Sequence, residues 1–393
     1  MKVLLTACPS QGHLFLPVPL AWALRNSGHE VLYALPDSYL AAGSAAGLPT
    51  ARLADLRMDE VMTRAFAPLL RQGLAAADPA ERNRRSVLAF AEMAETISDD
   101  LVGIARAWSP DLILAGALEF AGPLAAAVTD TPLATYGWGT WLSGPADAAM
   151  RAGLGDLYGR FGADPAKTDP QIRVDMCPPR LADASLPPLH HIRYIPYNGT
   201  GTIPDWVLRP APRARVCVTL GSSVGAAGNP LASPLLSAVL AAVDGQDFDV
   251  ILALGEVEVE VRLPDNVRVV RWLPLAQMLP SCAAIVHHGG YGTGLTAAIN
   301  AVPQLVLPQV GDSFRLADRI AAAGAGIQLM PADVEPGRVR DALSELRHSE
   351  QRRDAAVALQ ADIAALPGPA QVVPALEALA RGELAAAGTR TGR

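Results

Sequence analysis

The sequence is poor in lysine, cysteine and aromatic residues, and it lacks long apolar runs and clusters of basic charge. Lysine occurs only at Lys2 and Lys167, and 39 acidic residues outnumber 32 basic ones, which gives a formal net charge of −7. The absence of a basic run argues against nucleic acid or an anionic membrane surface as the main partner. No apolar run reaches the roughly 18 residues that a spanning helix needs. We therefore expect no membrane span.

The cysteines predict neither a metal site nor a disulfide framework. The four of them, Cys8, Cys177, Cys217 and Cys282, are far apart and include no C-x-x-C pair. No acidic metal-binding cluster is evident in the sequence either. We therefore expect no metal, and the cysteine pattern favours a reducing, cytoplasmic location.

The most informative stretch is residues 283–297, AAIVHHGGYGTGLTA. An apolar strand-like run leads into two histidines and a glycine-rich turn, and a helix-forming run follows. Free backbone amides and the helix dipole then point at one spot, which is suited to a phosphate. The alternative is a tight turn with satisfied histidines, but two histidines, three glycines and a threonine within seven residues favour phosphate. The G-x-G-x-x-G fingerprint of dinucleotide-binding folds fits this turn badly.

The remainder of the chain alternates between strands and helices in two sets. The first set has strands over 2–7, 30–35, 111–115 and 132–136, and the second over 215–220, 248–254, 267–270, 283–286 and 304–307. A segment rich in proline and turn residues, 187–212, lies between the two sets. This pattern predicts two α/β domains with parallel sheets. We place an N-terminal domain at 1–205, a linker at 206–213, a C-terminal domain at 214–365, and a helix and tail at 366–393.

Two signatures resemble those of a known family. HHGGYGTG, followed by AVPQLVLPQVGD, resembles the C-terminal signature of family 1 glycosyltransferases with the GT-B fold. The opening LLTACPSQGHLFLPVPLAWALRNSGHEV is similar to the N-terminal pattern of that family. Within this family, the two signatures are most similar to those of bacterial enzymes that glycosylate antibiotics and other polyketide-type natural products. The resemblance implies two Rossmann-like domains whose sheets face an interdomain cleft, with the acceptor bound by the first and the nucleotide-sugar by the second. It also suggests that the last helix and tail pack back on the first domain.

The resemblance implies donor-binding roles in the second domain. His288 stands where the family holds the diphosphate, Trp272 where an aromatic ring stacks on the nucleobase, and Asp312 where a carboxylate accepts hydrogen bonds from the sugar. His287 is expected to point into the fold, because side chains alternate along a strand. The expected donor-binding set is Ser222, Ser223, Trp272, Leu273, His288, Gly290, Gly292, Thr293, Asp312 and Ser313.

The resemblance also implies a catalytic histidine in the first domain. His13 stands where the family places the general base that takes a proton from the acceptor hydroxyl. Many relatives orient this histidine with an aspartate, but the matching position here is Gly116. Glu119 is the candidate partner, with a water molecule or no partner as the alternatives. For the acceptor pocket we suggest Phe66, Phe90, Met93, Trp138 and Trp141, with core packing as the equal alternative.

The expected activity is inverting, metal-independent transfer of a deoxysugar from a nucleotide diphosphate to a hydroxyl of an apolar natural-product aglycone. Plant relatives bind both ribose hydroxyls with a glutamate where this chain has Thr296, which favours dTDP-sugars over UDP-sugars. The nucleotide-sugar is a co-substrate, and no cofactor is expected. The alternatives are C-glycosylation of an aromatic polyketide, another GT-B activity such as nucleotide-sugar epimerisation, and a non-catalytic protein that binds nucleotide-sugar or aglycone. The sequence does not decide whether the protein forms a homodimer.

Overall fold

The computed structural model describes residues 1–70, 79–139, 144–182, 190–221, 232–255, 263–309 and 311–383. The chain divides into two compact units. Unit 1 consists of Met1–Met176, Asp183–Ile192 and Pro367–Arg393, and unit 2 of Cys177–Ala182 and Arg193–Leu366.

Unit 1 is built on a sheet of seven parallel strands. They are β1 (Lys2–Thr6), β2 (Glu30–Pro36), β3 (Thr50–Leu53), β4 (Leu112–Gly116), β5 (Leu133–Gly137), β6 (Ile172–Asp175) and β7 (His190–His191). Their order across the sheet is β3-β2-β1-β4-β5-β6-β7. The central strands β1, β4 and β5 are apolar and almost entirely buried, as expected for a parallel sheet covered on both faces.

The helices of unit 1 connect these strands and cover the sheet. They are α1 (Gln11–Phe15), α2 (Val18–Asn26), α3 (Leu40–Ala45), α4 (Met58–Leu70), α5 (Pro79–Trp108), α6 (Ala121–Thr129), α7 (Gly144–Gly153) and α8 (Gly155–Arg160). The last helix of the described chain also belongs to this unit, and an ion pair of 2.8 Å joins its Glu377 to His29.

Unit 2 has a second parallel sheet, of six strands. They are β8 (Arg215–Thr219), β9 (Asp249–Ala253), β10 (Val267–Val270), β11 (Ala284–His287), β12 (Gln304–Val306) and β13 (Gly326–Gln328), in the order β10-β9-β8-β11-β12-β13. Side chains alternate between the two faces. Val216 and Val218 pack in one hydrophobic layer and Cys217 in the other.

The remaining helices complete the chain. They are α9 (Asp205–Leu208), α10 (Ala232–Val243), α11 (Leu275–Met278), α12 (Tyr291–Ile299), α13 (Ser313–Ala322), α14 (Pro336–His348), α15 (Glu350–Ala364) and α16 (Val373–Ala380). Within the described ranges no single helix is long and apolar enough to cross a membrane, although the bent pair Glu350–Gln371 and Val373–Ala380 meets that test by length and composition.

The structure differs from the sequence expectation between the two units. We expected a linker at 206–213, but residues from Arg193 onward already belong to unit 2. The physical reason lies in two side chains. The Tyr194 hydroxyl donates to the carbonyl of Gly292 (3.1 Å), and Asn198 accepts from the amide of Ala276 (2.9 Å). These bonds attach the segment to α11 and α12.

Candidate functional site

The short helix α1 carries His13 and follows β1, a buried central strand of unit 1. The turn between them is closed by backbone hydrogen bonds from the amides of His13 and Leu14 to the carbonyl of Ser10 (3.1 and 3.0 Å). Residues 3–10 are buried, whereas His13 itself is half-buried. The strand and turn thus fix the backbone of a histidine that keeps part of its ring accessible.

His13 packs edge-on against Trp138, which is only 2% exposed. Their ring centroids are 4.5 Å apart and their planes are inclined by 72°. Burial lowers the pKa of His13 from 6.5 to about 4, because the charged imidazolium loses hydration. The imidazole is therefore neutral at pH 7 and has a nitrogen lone pair available to accept a proton.

Two buried tyrosines bond the backbone on either side of the turn that leads to His13, one at α1 and one at β1. The hydroxyl of Tyr33 donates to the carbonyl of Leu14 (2.9 Å), the residue after His13. The hydroxyl of Tyr136 donates to the carbonyl of Thr6 (3.0 Å). Both side chains are fully buried, and burial raises both pKa values far above 10. Sequence analysis missed these residues, because a tyrosine in an apolar strand reads as ordinary core.

Glu119 has a different role from the one expected for it. Its two carboxylate oxygens accept hydrogen bonds from the amides of Ala121 (2.7 Å) and Gly122 (2.9 Å), at the start of α6. No hydrogen bond or ion pair joins it to His13 in the described structure. Burial raises the pKa of Glu119 to about 7, against the lowering effect of the two amides. The correction has a simple cause: free amides in the first turn of a helix attract a nearby carboxylate.

The four expected acceptor residues that the structure describes belong to unit 1 and differ in their surroundings. Trp138 contacts His13, and Phe90 packs edge-on against Phe120 with centroids 6.1 Å apart. Phe66 is half-buried on α4, whereas Met93 is 3% exposed and belongs to the core. Trp141 lies outside the described residues. Phe120 is an addition to the set.

The glycine-rich turn of unit 2 joins β11 to α12, with Gly290 at the N-cap of the helix. Among the described residues no side chain caps this helix, so its N-terminus is suited to an external acceptor. Gly292 has open space where a side chain would begin, and Thr293 is half-buried in the same turn. The local structure therefore has the form that the sequence predicted for a phosphate site.

His288 lies in a cradle formed by two glycines. A Cβ atom on Gly221 would lie 2.1 Å from its Cε1, and one on Gly290 would lie 2.6 Å from its Nε2. The Nδ1 atom is buried and has no hydrogen-bond partner in the described structure. Burial lowers the pKa of His288 to about 4, so the ring is neutral. A buried polar atom without a partner is costly, and a ligand oxygen would satisfy it.

His287 points the other way and is 1% exposed, which confirms the alternation predicted for the strand. Its Nδ1 accepts from the amide of Gly289 (3.1 Å), so its Nε2 carries the proton and bonds the Gln304 carbonyl oxygen at 2.9 Å. Burial, reinforced by the neighbouring His288, lowers the pKa of His287 to about 3. His287 and Gln304 brace the turn from inside, and sequence analysis missed Gln304.

Asp312 and Ser313 stand at the start of α13. Asp312 occupies the N-cap position, but its side chain makes no capping hydrogen bond. Ser313, expected to bind donor directly, is 3% exposed, packs against Gly289 and accepts a hydrogen bond from the amide of Gln309 (3.2 Å). The Ser313 hydroxyl thus bonds the backbone before α13, and its contribution to donor binding stays a prediction.

Trp272 and Leu273 follow the edge strand β10. The indole of Trp272 is 44% exposed, whereas Leu273 is buried in the hydrophobic layer around α11. An exposed indole held by a buried neighbour suits stacking on a planar ring. Ser222 and Ser223 lie outside the described residues, which resume at Ala232 after Gly221.

Thr296, on α12, is fully buried. Its hydroxyl donates to the carbonyl of Gly292 (2.6 Å) and bonds the Tyr194 hydroxyl (3.0 Å), and it accepts from the Asn198 amide (3.3 Å). Two side chains from the segment before α9 therefore occupy the surroundings of this position.

Solved structures similar to the whole chain are glycosyltransferases. Spinosyn rhamnosyltransferase SpnG complexed with thymidine diphosphate has a TM-score of 0.83 at 32% identity, covering 96% of this chain and 100% of that chain. Glycosyltransferase VinC in complex with DTDP has a TM-score of 0.80 at 31% identity, with 97% and 100% covered. Together with the two parallel sheets, these similarities define the class: the protein is a glycosyltransferase with the GT-B fold.

Family models and curated relatives agree with this class. The family model for the erythromycin biosynthesis protein CIII-like N-terminal domain matches residues 22–221. The model for the corresponding C-terminal domain matches residues 237–379. The chain belongs to this EryCIII-like family of natural-product glycosyltransferases. It is 36% identical to aklavinone 7-beta-L-rhodosaminyltransferase of Streptomyces galilaeus, with 96% of both chains covered. It is 35% identical to 10-deoxymethynolide desosaminyltransferase of Streptomyces venezuelae, with 97% of both covered.

Proposed function

We propose that this glycosyltransferase moves a deoxysugar from a dTDP-sugar to a hydroxyl of an apolar polyketide-type aglycone, with inversion and with His13 as the general base. The observation that carries the proposal is the cradle of His288. A neutral imidazole with an unpartnered nitrogen stands beside the uncapped N-terminus of α12, which fits an oxygen of a diphosphate.

In unit 2, the proposed work is stabilisation of the leaving group. When the bond from the anomeric carbon to the diphosphate breaks, negative charge grows on the diphosphate and positive character on the sugar. Amides of the first turn of α12 and the ring of His288 are fixed before the reaction, so they gain stabilisation without reorganising. Asp312, at the N-cap position of α13, accepts hydrogen bonds from the sugar hydroxyls.

In unit 1, the proposed work is proton removal. The neutral imidazole of His13 accepts the acceptor's hydroxyl proton as the oxygen attacks the anomeric carbon. A pKa of about 4 makes the free imidazole a weak base. Proton transfer therefore accompanies bond formation, because full deprotonation beforehand would be too costly. Attack from the face opposite the leaving group inverts the anomeric centre.

The choice of dTDP rests on Thr296 and on the similar structures. Thr296 offers no carboxylate for a ribose 2′-hydroxyl, and its own hydroxyl is already bonded to Gly292, Tyr194 and Asn198. Both SpnG and VinC have been solved with thymidine diphosphate. The choice of acceptor rests on aromatic side chains such as Trp138 and Phe90, and on relatives named for transfer to aklavinone and 10-deoxymethynolide.

The decisive experiment compares His13→Ala and His288→Ala, with His190→Ala as the control because His190 is exposed on β7. We expect His13→Ala to lose at least a hundredfold in kcat, in the range of a general base, while thermal shift with dTDP is unchanged. His288→Ala is expected to lower kcat and also to reduce the thermal shift with dTDP. Wild type should respond to dTDP more strongly than to UDP.

Three outcomes would overturn parts of this proposal. Full turnover by His13→Ala on a hydroxyl acceptor would remove the assignment of the base. An acid-stable product bond would show C-glycosylation, and sugar modification without an acceptor would show epimerisation. Binding of dTDP without single-turnover transfer to any of a panel of aglycones would indicate a non-catalytic partner.

A further inference from the structure

Unit 1 contains a cavity of about 80 Å³ that the proposed function does not use. We call it the side cavity. It lies between β5, β6, the start of α6 and helix α7, and its lining includes Thr135, Arg173, Phe120, Met150 and Asp169. A buried water needs about 10–15 Å³ of such volume, so the side cavity has room for several waters or one small molecule.

Two polar side chains lie next to each other on its sheet wall. Thr135 on β5 and Arg173 on β6 are register partners, so they project from the same face of adjacent strands. Thr135 is 5% exposed, and its hydroxyl is buried without a hydrogen-bond partner. Arg173 is half-buried, and its guanidinium makes no hydrogen bond or ion pair in the described part of the chain. Unsatisfied groups of this kind call for a ligand or water.

The charge around the side cavity favours an anion with a single charge. Asp169 is paired with Arg151, so these two charges cancel. The carboxylate of Glu119 is bonded to the amides of α6. Arg173 is therefore the one charged side chain among the described lining residues that has no hydrogen-bond or ion-pair partner, and a monoanion would provide that partner.

The other walls favour an apolar tail. Phe120, Pro123, Met150 and Leu154 also line the side cavity. Such walls lower the local dielectric, so a paired charge is held more strongly there than in water. A guanidinium presents parallel donors that match the two oxygens of a carboxylate.

We propose that the side cavity binds a short-chain monocarboxylate, with Arg173 holding both carboxylate oxygens, Thr135 donating a third hydrogen bond, and the tail packed on Phe120 and Met150. Phe120 also contacts Phe90. An occupant therefore touches an aromatic pair that we assign to the acceptor region.

The test uses the full-length protein with propionate as the probe, measured by calorimetry and thermal shift against chloride, phosphate and neutral propionamide at equal ionic strength. We expect saturable binding of propionate to the wild type and none of propionamide. Arg173→Met should weaken propionate binding about a hundredfold, and Thr135→Val about tenfold. Arg106→Met is the matched control, because Arg106 is an exposed arginine on α5, and it should bind as the wild type does.

Several results would overturn the proposal. Chloride or propionamide could stabilise the wild type as well as propionate does, or Arg173→Met could bind propionate normally. No binding of propionate to the wild type would mean that the side cavity holds only water. If Arg173→Met does not fold, Thr135→Val and the propionamide comparison still decide. The response to dTDP is measured in every variant, so a failure here is distinguishable from a failure of the donor site.

Discussion

The hydroxyl of Tyr136 lies 3.3 Å from the position that a Cβ atom would take on Gly116. Gly116 is the position at which the family resemblance led us to expect an aspartate that orients His13. Here the space is filled from the neighbouring strand β5, and the Tyr136 hydroxyl is already bonded to Thr6. A buried, uncharged hydroxyl therefore lies close to the position that a side chain at 116 would take.

A first prediction follows for Gly116→Asp. The new carboxylate would crowd the Tyr136 hydroxyl and be buried without a counter-charge, so we expect a loss of about 1–3 kcal/mol in the free energy of unfolding and no gain in kcat. Denaturant unfolding and steady-state kinetics measure the two effects. Gly155→Asp is the control, because a Cβ there meets nothing within 4 Å. In a Tyr136→Phe background the loss should be smaller; equal losses would show that the two positions are not coupled.

A second prediction concerns the pH dependence of catalysis. Burial lowers the pKa of His13 to about 4, so the ring stays neutral, and competent as a base, well below pH 6. Trp138→Ala would admit water and return the pKa towards its ordinary value of about 6.5. We then expect kcat/KM at pH 5.5, relative to pH 7.5, to fall about tenfold in the variant, with little fall in the wild type. Trp22→Ala, which removes a 37% exposed indole on α2, is the control. If kcat/KM of the wild type already fell on acidification with a pKa near 6.5, the lowered pKa of His13 would be wrong.

A third prediction concerns stability as a function of pH. The folded-state pKa of His287 is about 3, below the unfolded value of about 6.5, so between these values the unfolded chain binds more protons than the folded one. Its contribution to stability is therefore present above about pH 6.5 and is lost on acidification, by about 2 kcal/mol at pH 5. In His287→Gln the decline in unfolding free energy from pH 7 to pH 5 should be shallower by that amount, whereas His190→Gln should keep the wild-type decline. If the unfolding free energy of the wild type and of His287→Gln declined equally from pH 7 to pH 5, this prediction would be wrong.

A fourth prediction isolates the cradle of His288. Gly221 has a φ of +68°, and its Cβ would lie 2.1 Å from the His288 ring. Gly255 has a φ of +66°, with open space in place of the Cβ. Both Gly221→Ala and Gly255→Ala force alanine into a left-handed backbone conformation. Only Gly221→Ala also brings a Cβ atom into contact with the His288 ring. We expect Gly221→Ala alone to weaken dTDP binding at least tenfold, measured by calorimetry. Equal affinities in the two variants would show that the position of His288 is not needed for binding.

The parts of the fold that sequence predicts best are the buried strands. The apolar runs that became β1, β4, β8 and β11 stand out, because both faces of these strands are covered. The sequence analysis did not identify β3, β6, β7 and β13. These strands are short, and all four carry polar residues that break an apolar pattern. Their places in the sheets depend on pairing with strands that are distant in sequence.

In the candidate site, too, some features follow from the local sequence and others depend on residues that are distant in sequence. The orientation of His287 and the form of the phosphate turn follow from local rules of strand alternation and glycine chemistry. The bonds of Glu119 do not, because its choice between His13 and the amides of α6 depends on where a helix begins in three dimensions. Gln304 was missed for a similar reason: it meets its partner His287 on the neighbouring strand β11.

Unit 1 is assembled from the two ends of the chain. The turn at Pro369–Gln371 packs against α2, and α16 packs against β4, so the first strands to be synthesised acquire their last neighbours only after unit 2 has been made. During translation, unit 2 can therefore complete its fold first, although it is encoded later. Until the final helix leaves the ribosome, the surface of unit 1 that it covers stays open to chaperones and proteases.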